Sequence, residues 1–311
     1  MIMPDETRQG ELQDLHSAGI TIPAAVVQAA RDGLGEFFYR LNGTAPLAGA
    51  LDHLNTARCL NHAEWLQQFE PLSGKRLLEI GSGYGTTLAV LIHKFGADAF
   101  GVEPDGEGFG SSLAASRILL SANGIQPERV VAGVGEQLPF PDASFDIVYS
   151  CNVLEHTQVP EEVLREALRV LRPGGLLHFE IPNHLSYFEG HYLVLQPPVL
   201  WRGLLPWWIR FVCRRDPSFA RTLRTEINPV WCRKALARIH PKFPHQLITL
   251  GEDRFLQRLA SPIKFEMGRV ASRIGPLVSL LQKMNFGNWV GRLIIMLHGY
   301  YPIHLTLRRD L

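Results

Sequence analysis

The alternation of apolar and polar residues divides the chain into three stretches of different rhythm. Up to about residue 72 the rhythm is helical. Across Asn55–Phe69, residues Leu60, Ala63, Leu66 and Gln67 recur at helical spacing, and Pro71-Leu72-Ser73-Gly74 closes the run. From Lys75 onward, strands and helices alternate. Lys75–Ile80 is a short apolar strand opening into Gly81-Ser82-Gly83-Tyr84-Gly85, Thr86–Phe95 is a helix, and Asp98–Val102 is a second strand ending at Glu103. A helix over Ser111–Asn123 stops at Gly124, Arg129–Ala132 is a third strand, Leu138–Asp142 is a turn, and Phe145–Ser150 is a fourth strand. A helix over Glu161–Leu171 precedes Pro173-Gly174-Gly175, which predicts a break before a fifth strand, Leu176–Ile181. Beyond residue 183 the pattern loosens. Pro, Trp and Arg dominate through Trp208, helical spacing returns near Pro229–Ile239 and Gly251–Leu259, and Tyr301–Arg309 alternates like a strand.

Strands separated by helices of this length imply βαβ units. The predicted fold class is α/β: a Rossmann-like doubly wound sheet, mostly parallel, with an antiparallel C-terminal strand, a helical N-terminal segment and a lid-like insertion. Three regions follow: an N-terminal helical cap (1–72), a ligand-binding core (73–183), and a substrate-side insertion that also completes the sheet (184–311). Open sheets of this kind bind ligands beyond the carboxyl ends of their strands.

Composition narrows the picture. The 311 residues are 46% hydrophobic and 20% charged, with a formal net charge of +1, so nothing in the total draws the chain to nucleic acid or membrane. The distribution is uneven: Trp201–His240 holds nine Arg or Lys against two acids. Four well-separated cysteines (Cys59, Cys151, Cys213, Cys232) argue against a disulfide framework and for a reducing, cytoplasmic setting. The first residues lack a signal-peptide pattern, and the apolar run Trp289–Leu297 is short and carries Arg292, so no membrane span is expected.

The glycine loop carries the chemistry. Its spacing is GxGxG, whereas the dinucleotide fingerprint GxGxxG aims a helix terminus at a pyrophosphate. Glu79 stands two residues before the first glycine, where it suits an ammonium and would repel a pyrophosphate. Glu103 ends the neighbouring strand, where a carboxylate can accept hydrogen bonds from both hydroxyls of a ribose. Two acids flanking glycines favour a cationic, zwitterionic nucleoside over a phosphorylated one. The bland alternative is a tight turn beside a surface acid.

The succession LLEIGSGYG, GVEPD, GEQLPFPDASFDIVYSCNVLEH and VLREALRVLRPGGLLHFEIPN resembles the class I methyltransferases, specifically the type 11 group, over about 110 residues. The resemblance implies S-adenosyl-L-methionine (SAM) as cofactor and methyl donor. It places Glu79 near the amino acid end, Gly81, Ser82 and Gly83 along the loop, and Glu103 with Pro104 at the ribose. Gly135 and Glu136 would lie beside the adenine, and Cys151 and Asn152 would form the floor. One position departs from the pattern: Val134 stands where the family usually has an acid for the adenine amino group.

For the transfer itself, His156 is the candidate catalytic base, with the alternative that Glu155 and His156 merely brace the next helix. Small-RNA 2′-hydroxyl methyltransferases hold a metal with Glu-x-x-Glu-His plus a later His; Asn152 replaces the first carboxylate here, so no metal is expected, although His178, His184 and His191 are present. His184, Tyr187, His191 and Tyr192 are the candidate substrate-binding residues, or else ordinary lid packing. The segment 198–215 interleaves Trp201, Trp207, Trp208 and Phe211 with Arg202, Arg210, Arg214 and Arg215, a mixture suited to a membrane interface or a greasy phosphate-bearing acceptor. The absence of an RNA-binding module and the neutral total charge argue against nucleic acid. The expected activity is methylation of oxygen or nitrogen on a small or lipid-linked acceptor, such as a glycan or secondary metabolite, in the cytoplasm or at the inner face of the membrane. The alternatives are a noncatalytic SAM-binding partner or scaffold, and an RNA 2′-hydroxyl methyltransferase.

Overall fold

A computed structural model describes residues 18–106, 111–197, 204–260 and 287–311. Of the elements read from sequence, residues 1–17 and the start of the basic aromatic segment, Trp201 and Arg202 included, lie outside the described residues. The chain divides into two compact units. The first comprises Met1–Cys151, Val159–His178 and Arg308–Leu311, and the second comprises Asn152–Gln158 and Phe179–Leu307.

Nine strands are described: β1 (Arg76–Ile80), β2 (Asp98–Glu103), β3 (Val130–Ala132), β4 (Phe145–Cys151), β5 (Leu171–Ile181), β6 (Phe188–Glu189), β7 (Val194–Leu195), β8 (His245–Thr249) and β9 (Ile303–Arg309). Seven form one sheet in the order β3-β2-β1-β4-β5-β9-β8, mostly parallel with antiparallel strands at the C-terminal end, as predicted. In the first unit β1 pairs in parallel with both β2 and β4, setting Glu79 opposite Gly101 on one side and Tyr149 on the other. Chain order reverses between β1 and β4, so the crevice of a doubly wound sheet opens at the carboxyl end of β1.

The first unit buries one hydrophobic core to which both the sheet and the N-terminal helices contribute, including Val26, Ala30, Leu54, Ala63, Leu77, Leu88, Leu119 and Tyr149. The helix Ala24–Ala30 packs on the helix Ser111–Ala122, and Thr56–Gln67 packs on Thr86–Phe95. The cap shares its core with the sheet, and both lie in the first unit. The helix Thr56–Gln67 starts where its sequence says it should: the Asn55 side chain accepts from the N–H groups of Ala57 and Arg58 at 2.9 and 3.1 Å.

Two expectations need correction. Pro173-Gly174-Gly175 does not interrupt the chain before the fifth strand, because β5 runs through it. Gly174 sits at φ +76°, and a Cβ on Gly175 would meet Leu171 Cδ1 at 2.8 Å and Asp146 O at 2.9 Å, so the two glycines bend the strand and let it pass close to its neighbour. The second unit also contains β8 and the antiparallel pair β6–β7, which the sequence reading left without strands.

In the second unit the helices Pro229–Ile239, Glu252–Ala260 and Gly287–Met296 accompany these strands. Asn183 ties the entry of the insertion to its end. Its Nδ2 donates to the carbonyls of His298 and Tyr300 at 2.7 and 2.6 Å, and its Oδ1 accepts from Leu185 N–H at 3.0 Å.

Candidate functional site

In the first unit, the loop leaving β1 turns on Gly81, Gly83 and Gly85, at φ +73°, +52° and +79°. The turn holds Glu103 at the end of β2: one carboxylate oxygen accepts Gly83 N–H at 2.8 Å and the other accepts Ser112 Oγ–H at 2.7 Å. A carboxylate offers about four acceptor positions, so two are left for vicinal hydroxyls. Burial raises its pKa, opposed by these two hydrogen bonds. Gly101 makes this packing feasible, since a Cβ there would stand 2.7 Å from Ser82 Oγ.

Glu79 is buried on β1, and burial drives its carboxyl up to about 8, with the Thr87 hydroxyl opposing and the charge of Glu103 adding to the rise. Its Oε2 has no hydrogen-bond partner, and neither have the buried hydroxyls of Ser82 and Thr86. Three unsatisfied buried polar atoms around one glycine loop are expensive unless a ligand meets them. An α-amino acid group, with its ammonium and its carboxylate, fits this set.

The loop after β3 is fixed from below. Arg169 donates to the carbonyls of Leu138 and Phe140 and pairs with Asp142 and Glu166, while Leu138 N–H reaches Glu166. Gly135 is buried, and a Cβ there would lie 3.0 Å from Val163 Cγ1. Glu136 accepts from Val159 N–H at 3.3 Å, at the start of the helix Pro160–Val170. Pro104 is exposed just past β2, and Cys151 is half-buried at the end of β4. Ser112, Thr86 and Thr87 were missed by sequence reasoning; the Thr86-Thr87 pair directly after Gly85 was the available signal, whereas Ser112 lies nine residues from the acid it serves.

The second unit holds the other candidates. Asn152 is exposed at φ +54°, its N–H bonded to Glu180 O at 2.9 Å. Glu155, His156 and His191 converge. His156 Nε2 is 3.3 Å from His191 Nε2 and 3.6 Å from Glu155 Oε1, and His191 Nε2 is 3.9 Å from Glu155 Oε1. Burial raises the Glu155 carboxyl to about 7. His191 Nδ1 bonds Glu189 at 2.8 Å, and this contact raises the imidazole despite its burial. His156 moves the other way: desolvation by the packed surroundings, then repulsion from His191 and His184, hold it well below the ordinary imidazole range. The Glu189 carboxylate opposes this shift. His156, the candidate base, therefore sits inside a cluster of titratable groups.

Of the predicted acceptor residues, His184 is buried with its Nε2 unpartnered, and Tyr187 is half-buried. Tyr192 is fully buried and its hydroxyl is consumed by the fold, donating to Asp216 O at 2.8 Å and accepting Ala220 N–H at 3.1 Å. Glu189 escaped notice, although its position two residues before His191 could have drawn attention.

The first unit is thus a doubly wound α/β sheet whose glycine loop lies between two buried acids, Glu79 and Glu103. Residues 78–179 match the methyltransferase domain family. An uncharacterized protein of Mycobacterium tuberculosis (strain ATCC 25618 / H37Rv) is 34% identical over 119 residues, covering 38% of this chain and 40% of that protein. An uncharacterized methyltransferase of Mycobacterium avium (strain 104) is 35% identical over 158 residues, covering 51% of this chain and 59% of its own. The chain therefore spans about half the length of the curated relatives it matches. Among solved structures, the cyclase SpnF aligns over 100% of this chain and 98% of its own with a TM-score of 0.50 at 17% identity, a likeness of fold.

Proposed function

We propose that the chain binds SAM and transfers its methyl group to an oxygen or nitrogen of a small or lipid-linked acceptor. The observation that carries this reading is the pairing of Glu79, buried with an unpartnered oxygen beside the glycine loop, with Glu103, buried at the end of the next strand. When bound, SAM supplies a methyl group already activated by its sulfonium. Glu79, with Ser82 and Thr86, would hold the amino acid end, and Glu103 the ribose. Gly135, Glu136, Cys151 and Asn152 would border the adenine and the sulfonium. Alignment and exclusion of water then account for most of the rate, and an amine acceptor needs no strong base. His184 and Tyr187 are the acceptor contacts this reading retains.

The lipid-linked option draws on the second unit. Leu204, Trp207 and Phe211 stand exposed at helical spacing, with Arg210 and Arg214 exposed beside them. Bulky apolar side chains interleaved with arginine suit the interface of an anionic membrane. Among the described residues no helix is long and apolar enough to cross one.

The test is transfer of label from SAM carrying a radioactive methyl group to fractionated cell extracts. Label entering the organic phase favours a lipid-linked acceptor, and label entering the small aqueous fraction favours a free one. Binding of SAM with no transfer to any fraction would overturn the catalytic reading in favour of a noncatalytic cofactor-binding partner.

A further inference from the structure

The second unit contains a group of side chains that methyl transfer does not require. Glu155 is fully buried, and neither of its carboxylate oxygens has a hydrogen-bond partner. A buried carboxylate left in that state is costly unless a cation meets it. Two imidazole nitrogens stand close to its Oε1, His156 Nε2 at 3.6 Å and His191 Nε2 at 3.9 Å, themselves 3.3 Å apart. We propose that Glu155, His156 and His191 bind a divalent first-row transition-metal ion, with Zn²⁺ the best match to the spacing.

The geometry supports this in three ways. A triangle with sides of 3.3, 3.6 and 3.9 Å has a centre about 2.1 Å from each corner, the bond length of zinc to imidazole nitrogen and carboxylate oxygen. The outer contacts are those of a metal-binding histidine. His191 Nδ1 faces Glu189 at 2.8 Å, which leaves Nε2 with its lone pair toward the cluster, and the other Glu189 oxygen accepts Tyr192 N–H at 2.6 Å. The ligands are also held in place. Arg224 N–H donates to Glu155 O at 3.0 Å and its Nε donates to Thr157 O at 2.8 Å, while the Phe219 ring lies 5.8 and 5.3 Å from the His156 and His191 rings.

Two imidazoles and one carboxylate suit Zn²⁺, Co²⁺ or Fe²⁺ better than Mg²⁺ or Ca²⁺, which prefer oxygen throughout. Three protein ligands are a complete set for an open zinc site, with the fourth position left to water or an oxygen of a bound molecule. Asn152 in place of a carboxylate was the reason for expecting no metal. The structure assembles three donors without it.

This inference does not rest on SAM binding, and its test reads the metal alone. The untagged full chain, stripped with chelator and dialysed, is titrated with Zn²⁺ against a chromophoric chelator and with Co²⁺ by visible absorption. The expected result is one equivalent per chain, with the intense cobalt bands of a four- or five-coordinate site. Stoichiometric binding is expected to disappear in Glu155→Gln and His191→Asn and to weaken roughly 10- to 100-fold in Glu189→Gln, which alters only the outer contact. Zn²⁺ should raise the Tm of the parent chain and leave that of the two ligand variants unchanged. If either ligand variant does not fold, the parent chain's cobalt spectrum and Glu189→Gln decide the matter. A parent chain that keeps no equivalent of metal overturns the proposal, with a proton shared between His156 and His191 in place of the ion. Equal binding by the parent and the folded variants overturns it as well, by placing the metal elsewhere.

Discussion

At the scale of single residues, Glu79 has the most to reveal. Its carboxyl, raised by burial to about 8, is mostly protonated at pH 7 in the protein alone. An ammonium set against it favours the carboxylate, so cofactor binding must expel the proton. Calorimetry of SAM binding in buffers of different ionisation heat should register release approaching one proton per ligand at pH 7, fading as pH rises through 8. The Glu79→Gln variant should release none, and equal release by both would remove Glu79 from the site. The same shift affects folding. A carboxyl whose folded pKa lies above its unfolded value contributes stability that is full below about 4.5 and lost as pH rises through about 8. Without cofactor, the Tm of the parent chain should therefore fall over that interval more steeply than that of Glu79→Gln.

At the scale of elements, the β1 loop and the end of β2 form one device, and Gly101 is its hinge of contact. A methyl group there would press on the Ser82 side chain at 2.7 Å. Gly101→Ala should lower stability by about 1–3 kcal/mol and weaken SAM binding at the same time; unchanged affinity would separate the loop from the ligand. This region was legible in the sequence because each strand is short, apolar and ended by a glycine or an acid. The helix Thr56–Gln67 was legible through the helical spacing of Leu60, Ala63 and Leu66. The elements that escaped are those whose pattern is set by partners far along the chain or that are too short to carry a pattern. β8 lies beside β9, far along the chain, and β6 and β7 are two residues each. β5 runs through Pro173-Gly174-Gly175, a triplet that locally reads as a break, because the sheet accommodates a bend where Gly174 takes a positive φ. The site divided in the same way. Glu79 and Glu103 follow from motif position, whereas the meeting of Glu155 and His156 with His191, 35 residues beyond His156, depends on the tertiary fold.

For the whole molecule, the exposed face of Leu204, Trp207 and Phe211 with Arg210 and Arg214 makes a prediction about location. The chain should float with anionic vesicles at low salt, and a Trp207→Ala, Phe211→Ala double variant should not. High salt should release the parent chain, since screened arginines lose most of their attraction to the surface. Indifference to lipid charge would leave the acceptor to be sought in the aqueous phase. Prior to any acceptor stands the cofactor, on which the account depends. Titration of the purified chain with SAM, beside a Glu103→Ala variant of unchanged fold, is the direct measurement. The account predicts micromolar binding by the parent chain and affinity roughly 10- to 100-fold weaker in the variant, the worth of charge-assisted hydrogen bonds to a ribose. A folded parent chain that ignores SAM, or that binds a nicotinamide dinucleotide in its place, would contradict it.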